Sequence, residues 1–319
     1  MSIKWGILGT GGIAHEFAQD VANFTEMKIA AVGSRTLEKA EQFEIADHAF
    51  GSYEDLVNSD VDAIYVATPH QAHCENTILA LNAGKPVLCE KPFAANAQQA
   101  KEMADTANKN NLLLMEAMWT RYLPHIQKVR ELISELGEIY SISAEHGQAL
   151  THIPRLTDPH YAGGALLDLG IYPISFIYMV LGKPEKITAR GEIVDGVDYQ
   201  TSAIFQYESG AHATFNTNLK VKGPTTATIA GTKARLELET SFYRPTIMRL
   251  IYNDGNVKEF PNAYRGHGLR EQAIYFEKML ISGKRESAIL PINETISIME
   301  TMDEIRAQIG LRYPFESRA

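Results

Sequence analysis

The sequence predicts an α/β protein in two parts. Residues 1–118 read as a doubly wound parallel sheet, and residues 119–319 as an α+β domain with a large, mainly antiparallel sheet. Three observations predict it. Up to residue 118, short apolar β-branched runs alternate with segments of helical period, the pattern of βαβ units. Beyond that point, period-two alternation joined by Gly and Asn turns takes over. The composition, 45% apolar and 22% charged over 319 residues, suits a globular chain with room for two cores without disulfides or metals.

In the first part, the runs IKWGILG (3–9), MKIAAVGS (27–34), VDAIYVATP (61–69), KPVLCEKP (85–92) and NLLLMEA (111–117) are short, apolar and rich in β-branched residues, as strands buried on both faces must be. Between them, residues 13–24, 36–43, 72–84 and 96–110 space their apolar positions as helices do. In the second part, a helix over 121–136 leads into strand patterns at 139–147, 186–194, 199–207, 210–220, 226–239 and 246–253. Helices near 267–282 and 293–309 follow. The most apolar run, 163–182, is interrupted by Asp168, Pro173 and Ser175, so a buried helix is expected there and not a membrane span.

Charge and cysteine usage narrow the partners. A net charge of -9 disfavours nucleic acid and anionic membrane, which leaves a small molecule. Cys74 and Cys89 are the only cysteines, suit a reducing cytoplasm and are expected to be buried small hydrophobes. No export signal is expected at the N-terminus. The antiparallel sheet is a candidate face for a homodimer.

After the first strand comes Gly9-x-Gly11-x-x-Ala14, the alanine form of the dinucleotide fingerprint, which makes the first part a Rossmann domain. Gly9 makes the tight turn, Gly11 admits a pyrophosphate to the backbone, and Ala14 lets the helix lie close on the strand. Thr10, Gly12 and Ile13 complete the loop at a helix N-terminus that favours anions. A nicotinamide dinucleotide is the expected ligand. At the end of the second strand, Ser34 and Arg35 stand where an NAD-specific protein carries a carboxylate, which favours NADP, with NAD as the alternative.

The motifs ATPHQAH, GKPVLCEKP, EAMWTRY and GGALLDLGIYP occur in the order seen in the Gfo/Idh/MocA oxidoreductases, and the chain resembles that family over nearly its whole length. Within it, the resemblance is greatest to the subgroup of trans-dihydrodiol dehydrogenase and NADP-dependent D-xylose 1-dehydrogenase. The resemblance implies hydride transfer between the nicotinamide and a cyclic polyol, aldose or dihydrodiol, with Lys91, Asp168 and Tyr172 facing the nicotinamide and substrate. It also raises the question of a cis Lys91-Pro92 bond, which the residues alone leave open. Asp168 and Tyr172, four apart, share one face if their segment is helical. A free tyrosine has a pKa of about 10, so ionising it near neutrality takes about 4 kcal/mol, and a lysine ammonium acts in the right direction. The expected roles are Tyr172 as general acid/base, Lys91 as its electrostatic partner, and Asp168 as orienter of Lys91 or of a substrate hydroxyl.

Further residues are assigned by position. Thr68 and Pro69 end the fourth strand and line the cofactor channel, with His73 expected to fix the following helix beside them. Glu90, beside Lys91 in its motif, is assigned with His73 to the cofactor site. Trp119 and Arg121 follow the sixth strand and are assigned to the nicotinamide end, Trp119 to the substrate also. Arg155 and, more weakly, His160 are placed to meet substrate hydroxyls from a loop. His70, His73 and Cys74 lack a partner cluster, so no metal is expected. Two other readings stay open: a redox-neutral, NAD-retaining enzyme that cleaves glycosides or epimerises, and a non-catalytic NADP-binding regulator.

Overall fold

The protein is described by a computed structural model over residues 2–318. Its first sheet has six parallel strands in the order β3-β2-β1-β4-β5-β6. The strands are β1 (Lys4–Leu8), β2 (Lys28–Gly33), β3 (His48–Phe50), β4 (Ala63–Val66), β5 (Val87–Glu90) and β6 (Leu114–Ala117). Between them run α1 (Gly12–Phe24), α2 (Leu37–Glu41), α3 (Tyr53–Val57), α4 (His73–Asn82) and α5 (Ala97–Asn110). All four residues of β4, β5 and β6 are buried, which is why these strands are apolar throughout apart from Glu90 and Glu116. The strand order reverses between β1 and β4, so the gap beyond their carboxyl ends is the topological switch point where such sheets bind ligands. β3 and α3 were not anticipated: three residues at a sheet edge carry no readable period.

The second sheet has eight strands in the order β14-β13-β12-β11-β7-β10-β9-β8, antiparallel except where β10 lies parallel to β7. After α6 (Pro124–Leu132) come β7 (Ile139–Gly147), the short α7 (Pro154–Thr157), a π-helical turn at Leu166–Gly170, and α8 (Ile171–Leu181). The strands β8 (Lys186–Val194), β9 (Val197–Gln206), β10 (His212–Asn218), β11 (Ala227–Gly231), β12 (Ala234–Leu238), β13 (Met248–Tyr252) and β14 (Val257–Phe260) follow. The stretch read as one strand pattern over 226–239 is a hairpin that turns at Thr232-Lys233. The apolar run that carries α8 is a core helix, with 83% of its most hydrophobic window inside the fold.

The chain ends with α9 (Arg270–Ile281) and α10 (Ile292–Ile309). Gly266–Met299 forms one compact unit with the described residues up to Tyr122, and Leu123–Arg265 forms the other with the described residues from Glu300 onward. A single boundary at 118/119 is therefore corrected to an excursion and a return. Two of the contacts that hold the returning segment in the first unit span most of the chain. The Phe276 ring lies 5.0 Å from that of Trp5, itself fully buried. The buried Asp20 on α1 accepts hydrogen bonds from the backbone N–H groups of His267 (3.1 Å), Gly268 (3.1 Å) and Arg270 (2.8 Å). Neither contact is signalled locally, because the partners are some 250 residues apart.

Candidate active site

The glycine loop sits at the switch point. Gly9 has φ +108, its N–H donates to the Gly33 carbonyl (3.0 Å), and an added Cβ would lie 2.6 Å from the Ala67 carbonyl oxygen. Only glycine fits there, and it locks the ends of β1, β2 and β4 together. Gly11 and Gly12 differ: their φ values need no glycine, and an added Cβ would meet no protein atom within 4 Å. Packing does not explain their bareness; a ligand approaching the backbone does. Gly11 is the N-cap of α1, with no capping side chain and no acidic residue in the first turn. The N–H groups at Gly12 and Ile13 thus open an anion site at the helix start, with half-buried Thr10 and exposed Gly11 leading into it. These residues fit a dinucleotide pyrophosphate.

At the end of β2, Ser34 is buried and its N–H is fixed to the Phe50 carbonyl of β3 (3.1 Å). The adjacent Arg35 is exposed, forms no ion pair among the described residues, and lies near enough to Tyr53 for its charge to oppose the burial that raises that phenol's pKa.

The β4 and β5 ends are tied together by one imidazole. His73 is 1% exposed, with Nε2 2.8 Å from the Thr68 carbonyl and Nδ1 2.7 Å from the Pro92 carbonyl. Burial, ahead of repulsion from His70, pushes its pKa down to about 3, so the ring is neutral and donates to only one of the two carbonyls. His73 therefore braces the Thr68-Pro69 turn against the Lys91-Pro92 turn, beyond fixing α4. The Thr68 hydroxyl accepts from Asn76 Nδ2 (3.1 Å). Lys91-Pro92 is cis. Glu90, 3% exposed, accepts the Lys91 N–H at Oε2 (3.1 Å) and the Tyr65 hydroxyl at Oε1. Burial raises its pKa to about 7. Glu90 is thus an internal brace for Lys91, which is half-buried at the carboxyl end of β5.

Trp119 and Arg121 lie on the turn after β6. The Trp119 ring is 5.1 Å from that of His267, which Asp20 holds by its N–H. Arg121 is 1% exposed and its Nη2 donates to Glu294 on α10 (2.6 Å). Its guanidinium is thus ion-paired within the unit.

In the second unit, the π turn carries Asp168 and the first turn of α8 carries Tyr172. π turns are uncommon and recur at functional sites. Several contacts hold the segment. Asp198 Oδ2 accepts from the Leu166 N–H (2.9 Å) and from Thr201 Oγ1 (2.7 Å), Thr217 Oγ1 reaches the Ala165 carbonyl (3.4 Å), and Tyr313 donates to the Gly163 carbonyl (2.6 Å). Asp168 is 5% exposed and lies 3.4 Å from Arg155 Nη1, so the structure brings these two predicted residues together. His160 is exposed and turned to Asp158 (2.9 Å). Around Tyr172 stand residues that sequence reading missed. The His146 ring is 5.2 Å away, the Tyr243 ring 4.7 Å, and Gln148 Nε2 contacts His146 Nε2 at 2.8 Å. The alternation of β7 could have marked His146 as inward-facing, whereas nothing local marks Tyr243.

Chemically, the first unit offers an anion cradle, an unpaired guanidinium and a lysine braced by a buried carboxylate. The second offers a phenol set among aromatic rings, with a carboxylate-guanidinium pair one turn before it. Among the described residues, no group of three or more His, Cys, Asp or Glu side chains is arranged to hold a metal ion.

Comparison with known proteins places the chain in a family. The sequence model of an oxidoreductase family with an NAD-binding Rossmann fold, GFO/IDH/MocA, matches residues 3–118, and that of the GFO/IDH/MocA C-terminal domain matches residues 126–237. The chain is 37% identical to trans-1,2-dihydrobenzene-1,2-diol dehydrogenase of Mus musculus, over all of both chains. It is 25% identical to a 3-ketoreductase from Actinomadura kijaniata solved with NADP and TDP-benzene, with a TM-score of 0.86 over 97% of this chain and 98% of that one. An aldose-aldose oxidoreductase from Caulobacter crescentus shares the fold, with a TM-score of 0.86 at 22% identity over 97% of each chain. On a relative this similar from end to end, and family matches in both halves, the chain belongs to the GFO/IDH/MocA oxidoreductase family.

Proposed function

We propose that the protein is an NADP-dependent dehydrogenase acting on a CH–OH group of a cyclic polyol, an aldose or a dihydrodiol. The observation that carries the reading is the bare backbone at Gly11 and Gly12, which no internal contact demands and which sits at an uncapped helix start on the switch point. The activity for which the 37% identical relative is named and the NADP in the 3-ketoreductase complex support it. When bound, the nicotinamide supplies the hydride acceptor or donor. Tyr172 holds or takes the substrate hydroxyl proton at its phenolic oxygen, and Lys91 is the cation assigned to the reacting oxygen. Arg155, paired with Asp168, orients its carboxylate toward a substrate hydroxyl. Arg35 and Ser34 receive the 2′-phosphate, which no carboxylate at the end of β2 repels.

The test is the absorbance of reduced cofactor when purified protein meets NADP or NAD with a panel of aldoses, polyols and dihydrodiols. Turnover with NADP is expected. Removing the charge-assisted contact with Arg35→Ala should raise the KM for NADP by about 10- to 100-fold and leave that for NAD within about twofold. No turnover on any substrate with NADP bound would overturn the reading, and cofactor that copurifies without net reduction would favour redox-neutral chemistry.

The reading extends to a cytoplasmic homodimer with a small polyhydroxylated partner. The row Ser143, Thr214, Ile204 and Thr188 crosses four adjacent strands on the exposed face of the second sheet and is the proposed contact. Light scattering should give twice the chain mass, and Ile204→Lys should halve it.

A further inference from the structure

Gln148 leaves the sheet just after β7, with its backbone N–H fixed to the Asn218 carbonyl (3.1 Å). Its side chain is equally constrained. Nε2 contacts His146 Nε2 at 2.8 Å and the Tyr243 hydroxyl at 3.3 Å, so both amide hydrogens are in use. With the amide nitrogen on that side, His146 Nε2 is the acceptor of the contact. His146 is fully buried and cannot turn away, and Tyr243 is stacked on it at 4.4 Å. Gln148 Oε1 makes no hydrogen bond among the described residues and belongs to a half-exposed side chain. The two rings that hold the amide are the two that flank Tyr172, at 5.2 and 4.7 Å. All four residues belong to the second unit.

An amide oxygen fixed in this way is an acceptor without a donor. A substrate whose only hydroxyls are at and next to the reacting carbon covers it with C–H surface and leaves it unsatisfied. A ring bearing hydroxyls all round supplies the missing donor. A site built to bond a hydroxyl discriminates strongly against a ligand that lacks it. We infer that Gln148, oriented by His146 and Tyr243, is a specificity-determining residue that selects a polyhydroxylated ring, an aldose or cyclic polyol, over a flat dihydrodiol. The inference rests on the proposed role of Tyr172 at the reacting centre.

The experiment is steady-state kinetics with NADP on D-xylose and on a trans-dihydrodiol, for the unmodified protein, Gln148→Met and Gln148→Asn. Met keeps the side-chain length and removes both polar atoms; Asn keeps the amide and shortens its reach. The unmodified protein is expected to have the higher kcat/KM on the aldose. Gln148→Met should lower that value by about 10- to 100-fold, mainly through KM, and change the value for the dihydrodiol by less than about threefold. Gln148→Asn should fall between, and the thermal midpoint should be kept in both variants. Equal losses on both substrates, or an unmodified protein that prefers the dihydrodiol, would overturn the inference while leaving the dehydrogenase reading intact. Absence of turnover on both substrates would instead overturn that reading, and the inference with it.

Discussion

Replacing Tyr172 with phenylalanine should lower turnover by about 10²- to 10⁴-fold, the range for losing a general acid/base, while cofactor affinity stays within about twofold. The substitution removes one oxygen and keeps the ring. Contacts of that ring with His146 and Tyr243 persist, and the π turn keeps its anchors on Asp198, Thr217 and Tyr313. Folding is therefore not the expected casualty. Steady-state kinetics and a fluorescence titration of reduced cofactor separate the two effects. The loss should fall on kcat and kcat/KM alike, as it does when an interaction exists only in the transition state. Undiminished turnover in this variant would remove Tyr172 from the chemistry, and a protein with function but no turnover would be the regulator that the sequence left open.

The largest expected effect on stability comes from Asp20→Ala. The carboxylate accepts from three backbone N–H groups at the start of α9 and pairs with Arg270 Nη1 (3.1 Å), whose guanidinium lies 4.2 Å from the centre of the Phe24 ring. Asp20 is 4% exposed, so water cannot replace it. Alanine leaves three N–H groups without their acceptor and takes from the Arg270 guanidinium one of its carboxylate partners, a change that costs about 3–5 kcal/mol. In a unit of this size that corresponds to a fall of about 10 °C in its thermal midpoint, measured by calorimetry or circular dichroism. Asn should retain part of the loss, since its amide oxygen still accepts. The same change should loosen His267 and with it the ring packed on Trp119, so KM should rise even where the protein remains folded. An unchanged midpoint would mean that other contacts, such as Trp5-Phe276 and the Ile3 N–H on Glu277, hold α9 without Asp20.

How much of this was legible before any coordinates varies with the range of the interaction. The span of β7 could be read to the residue, because alternation of small polar and apolar side chains is a local consequence of one buried face. The glycine loop was equally legible, since a strand, three bare positions and a helix in succession are local too. β3 escaped because a three-residue edge strand has no room for a period. The hairpin at Thr232-Lys233 was read through, because those two residues do not break the alternation that flanks them.

The site divides along the same line. Local sequence alone determined the fold class, the bare backbone from Gly9 to Gly12 at the start of a helix, and the missing carboxylate beside Arg35. Each of these depends on backbone geometry within a few residues. Only the tertiary structure decided that Arg121 is neutralised by Glu294, that Asp20 holds α9, that His73 braces two turns, and that His146, Gln148 and Tyr243 surround the phenol. Those outcomes depend on which distant side chains burial brings within hydrogen-bonding distance, and spacing along the chain carries no record of that.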